Sequence, residues 1–361
     1  MKKQSALLLF ATLLIGVLLT ACQPKGEGSA EATPVKNAEE SENPLANKKV
    51  ALIMQQNLGT FSAQYIEGVK EQVAAFGGTV TVFASEGDLA KMASNLDAAI
   101  NQGVDAILID HGTKEALNQG VEKAIEKGIS VVAFDAGVEV EGVVVLEQGD
   151  QQMAEMTLEK LKEDANGEGN IVKIWVAGFA PMERRQVAYA DFLKENPGIK
   201  EIAAFGAATA NTALDTQAQM EVILKQYPNE GDITAVWAAW DEFAKGAVRA
   251  IEQSGRTDIK VYSIDMSDED LQMIQNENSP WAASAAVDPT DIGRIQVRYA
   301  YQKINGEKPE EHIVLEPIFV DAAKLPENKV TTNELHEFID GWGASDQGYS
   351  KALKELEESL K

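Results

Sequence analysis

The sequence predicts an α/β protein of two lobes, each a parallel β-sheet with helices on both faces. Two observations carry this expectation. Short uninterrupted apolar runs alternate with amphipathic stretches of helical period, and the alternation occurs twice, over residues 49–134 and again over 171–264. Strands that are apolar throughout belong to a sheet covered on both sides. The two series share a grammar of elements, although no repeat aligns residue by residue.

Residues 49–54 (KVALIM) form the first strand, a loop containing Gly59 follows, and a helix over 62–76 places Tyr65, Val69 and Val73 on one face. Strands over 80–83, 106–109 and 131–134 alternate with helices over 92–102 and 114–127. The second series opens with a strand over 171–176, a helix through the Arg184 region to Lys194 and a strand over 202–205. A helix ending at Gln226, a strand over 235–238, a helix over 241–254 and a strand over 261–264 complete it. Open parallel sheets bind ligands beyond the carboxyl ends of their strands, so two facing lobes would enclose a cleft there.

The amino terminus is of a different kind. Lys2 and Lys3 precede an uncharged stretch ending in Leu19-Thr20-Ala21-Cys22, the pattern of a bacterial lipoprotein signal, with residues 1–21 as signal peptide and Cys22 as lipidation site. The apolar run is shorter than the roughly 20 residues a bilayer span needs. Residues 22–47, rich in Glu, Gly, Ser, Pro and Ala, read as a flexible tether. Cys22 is the chain's single cysteine, which leaves no disulfide, thiolate nucleophile or cysteine metal site. The formal net charge of -25, without a clustered Lys/Arg run, argues against nucleic acid as a partner. His111, His312 and His336 assemble no metal site, and no cofactor is expected. The acidic string 265–270 lacks the glycine and terminal glutamate of a calcium loop and reads as a helix start. Gly167 and Gly169 flank a turn and form no phosphate loop.

Several strings then resemble the periplasmic sugar-binding proteins of ABC importers, of the ribose-binding type. They are Phe61 and Gly68 in GTFSAQYIEG, the segment GVDAILI (103–109), VVAFD (131–135), WDEFAKGA (240–247), Ile264-Asp265, and Val287-Asp288-Pro289 with Ile292-Gly293. The resemblance spans residues 48–320 and implies a type I periplasmic-binding-protein fold with three crossings between lobes. By position these fall near 147–150, 288 and 316–317, giving one lobe of 48–148 and 288–316 and another of 149–287 and 317–361. It also implies a monomer without enzymatic activity that hands a monosaccharide or polyol to a permease with a cytoplasmic ATPase, held at the membrane by its lipid. A sensor or chemoreceptor partner binding a furanosyl signalling molecule is the alternative. A cytoplasmic repressor of similar fold is excluded by the signal and the missing DNA-binding headpiece.

By the same resemblance, Asp135 and Asp265 end strands of opposite lobes and accept hydrogen bonds from ligand hydroxyls, unless they are only helix caps. One of Arg184 and Arg185 enters the cleft and the other is a solvated helix residue. Phe61 stacks on the sugar or packs in the core, its usual aromatic neighbour being Ser62. Trp240 stands where the ribose pattern has asparagine, as a second aromatic wall or as packing under the next helix. Asp241 is a helix N-cap or a ligand contact. Asn211 replaces a family aromatic, and Gln55 and Asp288 fall at polar positions of the family site. Asp110 and His111 end a strand at the expected cleft, His111 as a structural hydrogen-bonding residue or a ligand contact.

Overall fold

The computed structural model describes residues 43–343 and 345–361. The first lobe is built from β1 (Lys49–Met54), α1 (Gly59–Ala75), β2 (Thr79–Ala84), α2 (Leu89–Gln102), β3 (Ala106–Asp110), α3 (Lys114–Glu126), β4 (Ser130–Phe134) and β5 (Val144–Gln148). The second holds α4 (Asp150–Asp164), β6 (Gly169–Ile174), α5 (Ala180–Glu195), β7 (Ile199–Phe205), α6 (Thr212–Gln226), β8 (Ala235–Ala238), α7 (Asp241–Ser254), β9 (Lys260–Ile264), α8 (Asp268–Ile274) and β10 (Trp281–Ala286). The chain then returns through α9 (Pro289–Ile304) and β11 (His312–Leu315) to the first lobe, and β12 (Ile318–Asp321) adds to the second.

One sheet runs β11-β5-β4-β3-β1-β2 with every pair parallel. The other runs β12-β10-β9-β8-β6-β7, parallel except for β12. Strand alternation sends Val50, Leu52 and Met54 into the core on one face of the first sheet and Ala51 and Ile53 into the core on the other. In each sheet the order reverses beside the first strand of the lobe, which opens a crevice at the carboxyl ends. Both crevices face the same cleft.

The glycines quoted for the resemblance have a packing reason. A Cβ on Gly68 of α1 would lie 1.9 Å from the Thr290 carbonyl oxygen of α9, and one on Gly293 would lie 2.3 Å from that of Tyr65. Hydrogen in place of a side chain lets the two backbones touch. The sequence pattern does not announce α4, whose inner face carries the buried polar residues Asp150 and Thr157 and so interrupts the apolar stripe. The acidic string 265–270 does open α8, where the Ser267 amide donates to the Asp270 carboxylate at 2.6 Å.

The expected placement of all of 317–361 in the second lobe is corrected. Leu335, Ile339 and Trp342 pack in that lobe's core, but α10 (Lys351–Leu360) sends Leu353 into the core of the first. Arg298 of α9 secures the return, donating to the carbonyls of Ser345 (3.0 Å) and Gln347 (3.1 Å) and lying 4.0 Å from the centre of the Tyr349 ring. The chain thus passes between lobes a fourth time.

Candidate ligand-binding site

The carboxyl ends of β3, β4 and β9 deliver His111, Asp135 and Asp265 into the cleft. All three adopt left-handed backbone, with φ of 61°, 48° and 75°. Asp and His tolerate this region better than most residues, and backbone strain of this kind concentrates at functional sites. Gln296 of α9 fixes the ends of β3 and β4 from behind, donating to the carbonyls of Ile109 and Val132 at 3.0 Å and accepting from the Tyr65 hydroxyl.

Between the lobes lies a cavity of about 80 Å³. One water occupies roughly 10–15 Å³ in this measure, so the space holds roughly half a dozen water-sized groups. Asp110, His111, Asp135, Gln148, Arg185 and Asp265 form its polar side. Phe61, Phe134, Phe179, Met182 and Trp240 supply most of the rest. The lobes meet at its rim, where Gln64 of α1 donates to the Thr332 hydroxyl (2.6 Å) and accepts from the Asp268 amide (2.9 Å).

A network of charges ties the lobes together. Arg185 is 2% exposed and donates to Asp150 (2.7 Å), to Asp265 (3.2 Å) and to the Ala239 carbonyl (2.6 Å). Arg184 reaches across to Asp135 at 2.6 Å, while also meeting Asp150 (2.8 Å) and Glu147 (3.3 Å). Neither arginine is therefore a solvated helix residue; Arg185 lines the cavity and Arg184 clamps the lobes beside it. The carboxylates also do not rely on ligand hydroxyls to offset desolvation, because guanidinium groups already face them. Each carboxylate offers about four lone-pair positions, which leaves acceptor capacity on Asp135 and Asp265 for a ligand.

Burial and the Asp150 charge push Asp135 up to about 7, against the pull of Arg184, His111 and Arg185. Burial likewise raises Asp265, opposed first by Arg185. For His111, burial lowers the pKa but is outweighed by Asp110, whose Oδ1 lies 2.7 Å from Nδ1, and by Asp135, so that it rises from 6.5 to about 9. A raised value means that the folded state holds the proton more tightly than the unfolded chain. Its stabilising contribution is complete below about pH 6.5 and lost as pH rises through about 9. Thermal melts of wild type and His111→Gln should accordingly converge as pH rises from 6.5 to 9.5. A constant gap across that range would show that the imidazolium is not the stabilising form.

Other candidates fall outside the cavity. Gln55 accepts from the Gly112 amide at 2.9 Å and borders a neighbouring groove instead. Asn211 precedes α6 on the surface, without a side-chain capping bond. Asp241 is the first residue of α7, not its N-cap, which is Trp240. Its carboxylate turns into the second lobe, 3.4 Å from buried Lys245. Asp288 caps α9 by accepting from the Thr290 amide at 2.9 Å. Phe61 and Trp240 each line the cavity and also pack on a core.

Sequence reasoning misses Gln148, Phe179 and Met182. Gln148 stands at the first crossing, where its Nε2 donates at 3.3 Å to both Asp135 and Asp265, and its Oε1 is buried without a hydrogen-bond partner. The resemblance places a crossing near 147–150 but draws no site residue from it, whereas it puts Asp288, at another crossing, among the polar positions of the family site. Phe179 is the N-cap of α5, between the end of β6 and that helix.

Two α/β lobes closing on a cavity of small-molecule size, with donors and acceptors from both sides, define a solute-binding protein. The chain belongs to the periplasmic binding protein domain family, whose profile matches residues 50–308. It is 27% identical to the ribose import binding protein of Bacillus subtilis, over 87% of this chain and 97% of that one. Among solved structures it resembles a sugar ABC transporter protein from Yersinia enterocolitica at 35% identity and a TM-score of 0.83, covering 88% of this chain and 96% of that one. A 5-methylthioribose transporter solute-binding protein from Thermotoga lettingae, in complex with 5-methylthioribose, aligns at 37% identity and a TM-score of 0.82, covering 86% and 98%. Such relatives are transport binding proteins, and the family places them outside the cytoplasm.

Proposed function

We propose that this chain captures a pentose-sized sugar bearing a small apolar group, of which 5-methylthioribose is an example, and delivers it to an ABC importer. The observation that carries this reading is the mixed lining of the cavity. Carboxylates, a guanidinium and the Gln148 Oε1 suit hydroxyls, whereas Phe179, Met182 and Trp240 suit C–H faces and an apolar substituent. The similarity to the 5-methylthioribose-binding protein supports the same class. Asp135, Asp265, Gln148 and Arg185 are its hydroxyl contacts, and Phe61 and Trp240 its walls. Ligand contacts from both lobes favour the closed population.

The protein acts as a monomer with a permease and ATPase as partners, anchored through lipid on Cys22. That cysteine, residues 1–21 and most of the tether lie outside the described residues. No helix among the described residues is long and apolar enough to cross a membrane.

Calorimetry with 5-methylthioribose, ribose, xylitol and glucose tests the reading. The methylthio sugar is expected to bind at least about tenfold more tightly than ribose, the discrimination that a filled apolar contact provides. Equal affinity for the two would remove the apolar group from the proposal, and binding of none would remove the sugar class.

A further inference from the structure

Resting on that reading, we infer that the sugar's apolar substituent projects out of the closed cavity into an adjoining groove, so that the protein also takes pentoses carrying longer neutral substituents. The inner cavity of about 80 Å³ has room for roughly half a dozen water-sized groups, so a pentose ring with its hydroxyls would leave no space for a further substituent. Gln56, Leu58, Val176 and Phe179 line both this cavity and a second space of about 780 Å³ in the same cleft. Leu58, Val176 and Phe179 stand where the two spaces adjoin, and form the neck through which a substituent would pass.

The groove beyond the neck is kept open by small residues. On the second lobe it is bordered by Ala177 and by the run Gly206, Ala207, Ala208, Thr209 and Ala210. Gly206 has φ of 149°, and a Cβ there would lie 2.4 Å from the Trp175 carbonyl oxygen, so any side chain would displace the wall. The first lobe contributes Gly87, where a Cβ would lie 2.8 Å from Gln56 Nε2.

Charge narrows the occupant. Among the described residues, Glu86 is the one charged group bordering the groove, and it is paired with Lys91 at 2.9 Å; no cation lines it. A phosphate would find no cation there, only neutral groups such as Gln56, Asn57 and Thr209, whereas an alkyl or aryl thioether would meet alanine, leucine, valine and phenylalanine.

The test compares 5-methylthioribose with 5-butylthioribose and 5-benzylthioribose by calorimetry, on wild type and on Ala207→Trp and Ala208→Trp. Wild type should bind the longer analogues at least as tightly as the methyl compound, gaining up to about fourfold for each methylene that leaves water. The tryptophan variants should lose at least about tenfold on the butyl and benzyl compounds and stay within about threefold on the methyl compound. Two variants guard against misfolding in either one, and unchanged affinity for the methyl sugar certifies the fold. If wild type binds the methyl compound but loses tenfold or more on lengthening, the substituent ends inside a closed pocket and the inference is overturned. Equal weakening of all three ligands by the variants overturns it as well. Failure of every thioribose, the methyl compound included, instead overturns the sugar reading on which the inference stands.

Discussion

Arg185→Met is expected to lower the unfolding free energy by about 3–5 kcal/mol, the cost of removing one partner from a buried ion network. The side chain is 2% exposed and is the principal donor to Asp265, as well as one of two arginines that hold Asp150. Methionine fills a similar volume but leaves the carboxylates of Asp150 and Asp265 short of positive charge where solvent does not reach. The remedy open to Asp265 is protonation. Burial already raises the pKa of Asp265 against the opposing pull of Arg185, so losing that pull raises it further. A carboxyl with a raised folded-state pKa contributes stability that is complete at low pH and lost as pH rises through that value. The deficit of the variant should therefore be smaller at pH 5 than at pH 8. Urea denaturation at the two pH values measures both statements. A loss under about 1 kcal/mol at pH 8, the range of an exposed pair, would mean that water enters the network and that Arg185 is not a structural strut.

The two lobes and eight of their strands were legible because runs such as 50–54, 106–109, 131–134 and 235–238 are apolar throughout, as strands buried on both faces must be, whereas β5, β10, β11 and β12 carry no such signal. β8 and α7 begin and end where the residues say, Asp241 to Ser254 marking the helix and Gly255 its left-handed end. α4 was not legible, since its inner face carries Asp150 and Thr157 for reasons that lie in another part of the chain: Asp150 holds both arginines, and Thr157 accepts from the Trp237 indole at 3.1 Å. The site shows the same division. Asp135 and Asp265 stand at strand ends where a ligand is expected, and their position could be read directly. That they would face Arg184 and Arg185 across 49 and 80 residues of chain could not, because ion pairing between segments distant in sequence leaves no local trace. The final return of the chain to the first lobe is equally silent in sequence, as it rests on Arg298 reaching backbone carbonyls, which every residue possesses.

Gln148→Met should weaken sugar binding about fivefold to 150-fold while leaving the free protein nearly as stable as wild type. In the ligand-free cleft Gln148 makes two long bonds, at 3.3 Å to Asp135 and to Asp265, and leaves Oε1 buried and unpaired. Methionine gives up the two bonds but also removes the orphaned acceptor, and these changes of roughly 1 kcal/mol each oppose one another. Binding is different. A hydroxyl of the captured sugar that donates to Oε1 has left water to do so, and opposite a thioether it would find almost no acceptor. Leaving such a group unsatisfied costs about 1–3 kcal/mol, which is the stated range in affinity. Calorimetry with the sugar that wild type binds, set beside a denaturation curve of each free protein, separates the two effects. Wild-type affinity in the variant would show that the unpaired oxygen faces no ligand hydroxyl. A parallel fall in stability and affinity would instead make Gln148 a spacer between the two aspartates.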